Sequence, residues 1–191
     1  MSLHLGGMGV KVGHFIWDDL CIEHGIATDC TYKYDSVLQH QGETIKTYFK
    51  EKGDKYYPRT LFFDMDVNSI DFVKQRSESQ FDPECFLLGE QTSPGLFSSG
   101  FYSNGPAYID KIKERIRKEI EACEHFNGFT MYSSINGGCG SGITALLSQV
   151  LTDDYPTAKK IGFNLYPSIN KASNPLEFLN TVLCHDKYIY K

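Results

Sequence analysis

Apolar positions along this chain fall into two alternating rhythms, one of period two and one of helical spacing. "LHL" at residues 3–5 predicts a short buried strand that stops at a first glycine turn, "GGMG". "VKVGHFIWDDLCIEHGI" then takes up helical spacing, with Val12, Phe15, Ile16, Leu20 and Cys21 on one face. Gly25 lies near its end, where a terminating glycine belongs. Residues 27–58 are polar and read as a long surface excursion. "RTLFFDMDV" is a compact apolar strand closing on Asp64 and Asp66, and "GEQTSPGLFSSGFYSNGP" is loop by composition. "AYIDKIKERIRKEIEAC" is the clearest helix, with Ile109, Ile112, Ile116, Ile120 and Cys123 recurring every three or four residues. "GFTMYSSI" reads as a strand, "NGGCGSG" as a second glycine turn and "ITALLSQVLTDDY" as a helix. "KIGFNLYPS" gives a last strand and "NPLEFLNTVL" a short helix.

Strands alternating with helices predict an α/β domain whose mostly parallel sheet is covered by helices on both faces. No repeat, low-complexity stretch or linker interrupts it, so residues 1–191 read as one domain.

Composition narrows the class without naming an activity. Hydrophobic residues make up 41% and charged residues 23%, which suits a packed globular domain. A net charge of −5 argues against nucleic acid or an acidic membrane surface as partner. No apolar run approaches the ~20 residues of a membrane-crossing helix, and "MSLHLGGMG" has no signal-peptide character. The six cysteines form no CxxC pair and no Cys/His cluster of zinc spacing, so reduced thiols are expected. His4, His14, His24 and His40 are scattered and read as structural or surface side chains.

The candidate chemistry lies in the two glycine turns. Ligands of such sheets bind at the carboxyl ends of strands. Glycines there let backbone approach an anion, and the following helix offers unpaired N–H groups and the positive end of its dipole. Gly6, Gly7 and Met8 belong to the first turn; Gly137, Gly138, Cys139, Gly140 and Ser141 belong to the second. Ser141 adds a hydroxyl donor, and Asp64 and Asp66 are hard oxygen ligands of the kind Mg²⁺ takes. The same glycines also suit a tight strand-to-helix connection. Neither the Walker spacing nor GxGxxG is present, so spacing alone reaches a nucleotide-binding α/β domain of unspecified type.

"SINGGCGSG" resembles the glycine-rich signature loop of the tubulin family, GGGTGSG. "GGMGVKVGHFIWDDLCIEHGI" resembles the family's first loop and helix, and "YYPRTLFFDMDVNSID" resembles its PRAVFVDLEPTVID. "GFYSNGPAYIDKIKERIRKEIEAC" is similar to GHYTIGKEIIDLVLDRIRK, in the α type. "LTDDYPTAKKIGFNLYPS" and "NPLEFLN" resemble the segments that follow, in the family's order and over almost the whole chain.

The resemblance implies a Rossmann-like, amino-terminal guanine-nucleotide domain, with GTP or GDP as ligand and Mg²⁺ alongside GTP. It places Gly7 where the family has a phosphate-contacting Gln, and Asp66 at the acidic residue near Mg²⁺. Ser134, Gly138 and Cys139 fall in the signature loop, Cys139 at its threonine, while Ser173 and Glu177 fall in the loop approaching the ribose. Gly7 and Gly95 are departures that each remove a side-chain donor, and Cys139 replaces a hydroxyl donor with a weak thiol donor; one such bond to a charged group is worth ~1.5–3 kcal/mol.

The family's central helix, its other domains, its base contacts and its catalytic acid have no counterpart in this sequence. No catalytic residue is nominated, and hydrolysis by the chain alone is not expected. The expected role is a shortened, tubulin-like structural protein of the cytoplasm and cytoskeleton, on microtubules or the axoneme of a cilium. Its partners would be tubulin, another tubulin-like chain or the microtubule lattice. A GTP-binding switch or weak GTPase completed by a partner chain, and a fragment of a longer divergent tubulin, are the alternatives.

Overall fold

The computed structural model describes residues 1–33, 42–77, 79–90, 95–168, 170 and 174–188. Five strands form one parallel sheet: β1 (Ser2–Leu5), β4 (Thr60–Asp64), β5 (Phe86–Leu88), β6 (Gly128–Ser134) and β7 (Lys159–Leu165), in the order β5-β4-β1-β6-β7. A separate antiparallel hairpin pairs β2 (Phe49–Lys52) with β3 (Lys55–Pro58). The chain therefore starts in the middle, builds outward through β4 and β5, then returns to build the other side through β6 and β7. That reversal leaves a crevice above the carboxyl ends of β1 and β6.

Alternation along the strands sends side chains into two cores. Leu3 and Leu5 of β1, Leu61 and Phe63 of β4, and Phe129 and Met131 of β6 pack beneath α4 (Asn104–Glu121) and α5 (Gly138–Asp154). Phe62 faces the opposite way, toward Val10, Trp17 and Cys21 of α1 (Gly6–Glu23) and Ile70 and Val73 of α3 (Val67–Ser77). A third, smaller cluster joins Phe97, Ile135 and Ala145 to Cys184 of α6 (Leu176–Tyr188). These placements give the mostly parallel sheet with helices on both faces that the pattern predicts.

Several local expectations are corrected. The surface excursion at 27–58 holds α2 (Gly42–Tyr48) and the β2–β3 hairpin, and Ile45 and Phe49 enter the core. The polar majority there masked two isolated anchors. The buried face of α1 is also rotated from the expected one. Val10, Gly13, His14, Trp17 and Cys21 point inward, while Val12 is 38% and Phe15 57% exposed. Gly9 and Gly13 cause this rotation. A Cβ at Gly9 would overlap the Tyr132 carbonyl, and one at Gly13 would overlap the His4 ring, so the helix beds on its glycines rather than on its bulkiest residues. All six cysteines are unpaired. Among the described residues no helix is long and apolar enough to cross a membrane.

Candidate phosphate-binding site

Both glycine turns are shorter than expected, because each is consumed by the first turn of a helix. Leu5 ends β1 in extended conformation and directly precedes α1, without a side-chain cap. Gly137, at φ −77° and ψ 160°, precedes α5, again without a side-chain cap. Neither first turn carries an acidic residue. Two sets of first-turn N–H groups thus lack intrahelical acceptors, and two positive dipole ends are left uncompensated by side chains.

These two helix starts meet. Gly6 adopts φ +73°, and a Cβ on it would stand 2.6 Å from Gly140 Cα. Only glycine permits both the backbone conformation and this closeness. Above the junction lies a cavity of about 650 Å³. Gly7, Gly137, Gly138, Cys139 and Gly140 form one side of it, Asp64, Asp66 and Ser69 a second, and Glu90 and Gly95 the rim. No Lys, Arg or His is among the described residues that line it. Anion binding here rests on backbone dipoles rather than on cationic side chains.

The candidate residues are placed unequally. Gly7, Gly137, Gly138, Cys139 and Gly140 line the cavity; Gly6 lies at the helix junction, and Met8 sits in the first turn of α1 without lining the space. Ser141 is buried and donates its hydroxyl to the carbonyls of Gly137 and Gly138, the latter at 3.2 Å, so it braces the loop from within. Ser134 donates to the Asn136 amide oxygen, and Asn136 Nδ2 donates to Glu177 Oε2 at 3.1 Å. Ser134 and Glu177 therefore share one polar chain beside the glycine loop. Ser173 lies outside the described residues.

The two aspartates differ sharply. Asp64 is 2% exposed and accepts from the Met65 N–H at 2.8 Å. The Ser69 hydroxyl, the Cys139 thiol and the Asp66 N–H also favour its charged form. Burial pushes its pKa up against these donors. Asp66 is exposed at the start of α3, where its Oδ1 accepts from Asn68 N–H at 3.0 Å and from Asn68 Nδ2 at 2.8 Å. Its other oxygen has no protein partner among the described residues, which leaves it open to a cation. Burial, and then the Asp64 charge, push the Cys139 thiol up, so it stays protonated and is no nucleophile. No group of three or more His, Cys, Asp or Glu side chains among the described residues could hold a metal unaided.

Sequence reasoning missed Ser69, Glu90, Asn136 and Asn180. Glu90 sits in a segment read only as loop, and Ser69 in one quoted only for its family resemblance. Asn136 was visible inside the quoted turn, but nothing in its spacing marked a bond to Glu177. Asn180, 3% exposed, gave no signal that set it apart, because Glu177 and Thr181 make the same helical run mixed in polarity.

Known proteins resemble this arrangement in sequence. The family model described as Tubulin/FtsZ family, GTPase domain, matches residues 1–190. A tubulin alpha-3 chain from Zea mays is 34% identical over 185 residues. That match covers 96% of this chain and 41% of the relative, so the chain spans well under half the length of that relative.

Proposed function

The chain belongs to the Tubulin/FtsZ family, and from that premise we propose that the crevice over β1 and β6 binds guanine nucleotide through its phosphates. The observation that carries this reading is the meeting of two helix N-termini without side-chain caps at a 650 Å³ cavity. The donors needed for an anion are already aimed and need no reorganisation. Room for a phosphate at Gly137, where nothing lies within 4 Å of a would-be Cβ, supports the reading. Gly6, Gly7 and Met8 supply the α1 turn, and Gly138, Cys139 and Gly140 the α5 turn. Ser134 and Glu177 flank the ligand through Asn136.

Mg²⁺ would enter with GTP, at Asp66, its remaining ligands being phosphate oxygens and water. The ion would offset the repulsion between the phosphates and the acidic wall formed by Asp64, Asp66 and Glu90. Heating the native protein, separating the released small molecules and identifying them by chromatography tests the reading. GDP or GTP at near one per chain supports it; no released nucleotide and no saturable binding of added GDP refutes it.

The role proposed for the whole chain is structural, in the cytoplasmic cytoskeleton, through association with tubulin-type chains on microtubules or the axoneme of a cilium. Its supports are the family and the apolar surface left bare beside β7, where Ile161, Phe163 and Leu165 are each 54% exposed. Contiguous patches of this kind mark interaction sites. Co-sedimentation with microtubules checks it; a chain that remains in the supernatant at saturating tubulin would sink the proposal.

A further inference from the structure

Asn180 of α6 hydrogen-bonds to both loops at the pocket's rim. It is 3% exposed, and its amide is spent entirely on backbone. The Phe97 N–H donates to Oδ1 at 2.8 Å. Nδ2 donates to the Gly95 carbonyl at 2.9 Å and to the Asn136 carbonyl at 3.0 Å. The first two contacts hold the loop that follows β5; the third holds the loop that follows β6.

Those two loops touch one another directly. A Cβ on Gly138 would overlap the Gly95 carbonyl carbon and the Leu96 nitrogen. Gly95 and Gly138 both line the cavity, so the spacing between the loops sets its width. At such a contact, buried carbonyls and N–H groups need partners that neither loop supplies to the other. The Asn180 amide supplies all three from a third element. It does so beside the apolar cluster of Phe97, Ile135, Ala145 and Cys184, where an unpaired polar group is costly.

We propose that Asn180 is a positioning residue, which sutures the Gly95–Phe97 loop to the glycine loop at the separation the nucleotide phosphates require. This rests on the phosphate-binding reading of the pocket. Asn180→Asp keeps the acceptor for Phe97 but turns a second oxygen toward two carbonyls. Protonating that carboxyl restores one donor. Burial against two backbone carbonyls raises that carboxyl above the ordinary ~3.9. GDP affinity of Asn180→Asp should therefore fall at least tenfold at about pH 7.5. Toward about pH 5.5 it should regain more than the wild-type chain gains as Asp64 and Glu90 of the pocket take up protons.

Asn180→Ser is the second variant. Its hydroxyl is too short to hold both loops, and amide exchange at Phe97 should speed up in the nucleotide-free protein. Unchanged GDP affinity in a folded variant overturns the proposal, as does affinity loss in Asn180→Asp without recovery at lower pH beyond the wild-type gain. If the wild-type chain binds no GDP, the phosphate reading falls by itself. Exchange at Phe97 then decides the suture: acceleration supports it and an unchanged rate overturns it.

Discussion

Gly137 and Gly138 are neighbours, yet an alanine at each meets opposite surroundings. Nothing lies within 4 Å of a Cβ at Gly137, whereas one at Gly138 overlaps the backbone of Gly95 and Leu96. Gly138→Ala should cost ~1–3 kcal/mol by overpacking and weaken nucleotide binding as the loops part. Gly137→Ala should cost about 1 kcal/mol or less, the difference between Gly and Ala at a helix cap, while still intruding on the phosphate space. Urea denaturation paired with GDP titration separates the two: equal stability losses would contradict this geometry. His4 carries a second residue-level expectation. It is fully buried, stacked between Phe62 and Tyr132 with centroids 4.9 and 4.8 Å away, and burial pushes its pKa down to about 3. The unfolded chain binds this proton near the ordinary value of ~6.5 and the folded chain does not. Stability from this group is therefore whole above ~6.5 and lost as pH falls toward 3, with a slope approaching ~1.4 kcal/mol per pH unit. Urea midpoints measured from neutral pH downward should show that slope, and His4→Phe should flatten it.

At the scale of elements, the β2–β3 hairpin is tied down by a buried ion cluster as well as by Ile45 and Phe49. Lys50 Nζ lies 3.1 Å from Asp82 and 2.5 Å from Glu119 of α4. The side chains of Lys50, Asp82 and Glu119 are 15%, 5% and 11% exposed. Removing this cation leaves buried Glu119 without its ion-pair partner and Asp82 with only the more exposed Lys52, 3.6 Å away. Lys50→Met should destabilise by ~3–5 kcal/mol, the range for breaking a buried pair. Adding Glu119→Leu should return part of that loss, and a thermal melt of both variants checks the order. None of this was legible along residues 27–58, because a run of polar residues looks the same solvated or buried in pairs. The helix α4 was legible: Ile112 and Ile116 are fully buried, and Ile109 and Ile120 pack at the edge of the same core. Charged residues left its apolar stripe a single possible face. In α1 the bulky residues outlined a stripe, but glycine contacts with Tyr132 and His4 chose another.

For the whole molecule, the sheet order decides where the chemistry sits. Because β1 is central, with β4 and β5 on one side and β6 on the other, four strand ends deliver their loops to one crevice. The same order leaves β7 at an edge whose α1-side face is thinly covered. Ile161 and Leu165 point outward from it, each 54% exposed, with Tyr166 at 51%. Ile161→Lys with Leu165→Lys should change stability by no more than ~1 kcal/mol, as exposed substitutions do. If this face receives a tubulin-type chain, the double variant should stay in the supernatant when microtubules are pelleted. Pelleting equal to that of the unaltered chain would move the contact elsewhere.

The strand–helix alternation, the two glycine segments and the family they resemble can all be read along the chain. Each of these is a local pattern of residue types, and local patterns survive in one dimension. Which glycines face open space and which are wedged against a neighbouring loop emerges only on folding, since it depends on what another part of the chain brings near. The same holds for the split between Asp64 and Asp66. They stand two positions apart in a single strand-end motif, yet one is sealed among donors and the other keeps an oxygen free. Asn180 is the extreme case. Its three partners lie 83 and 85 residues away in one loop and 44 in another, and no spacing rule reaches across such distances.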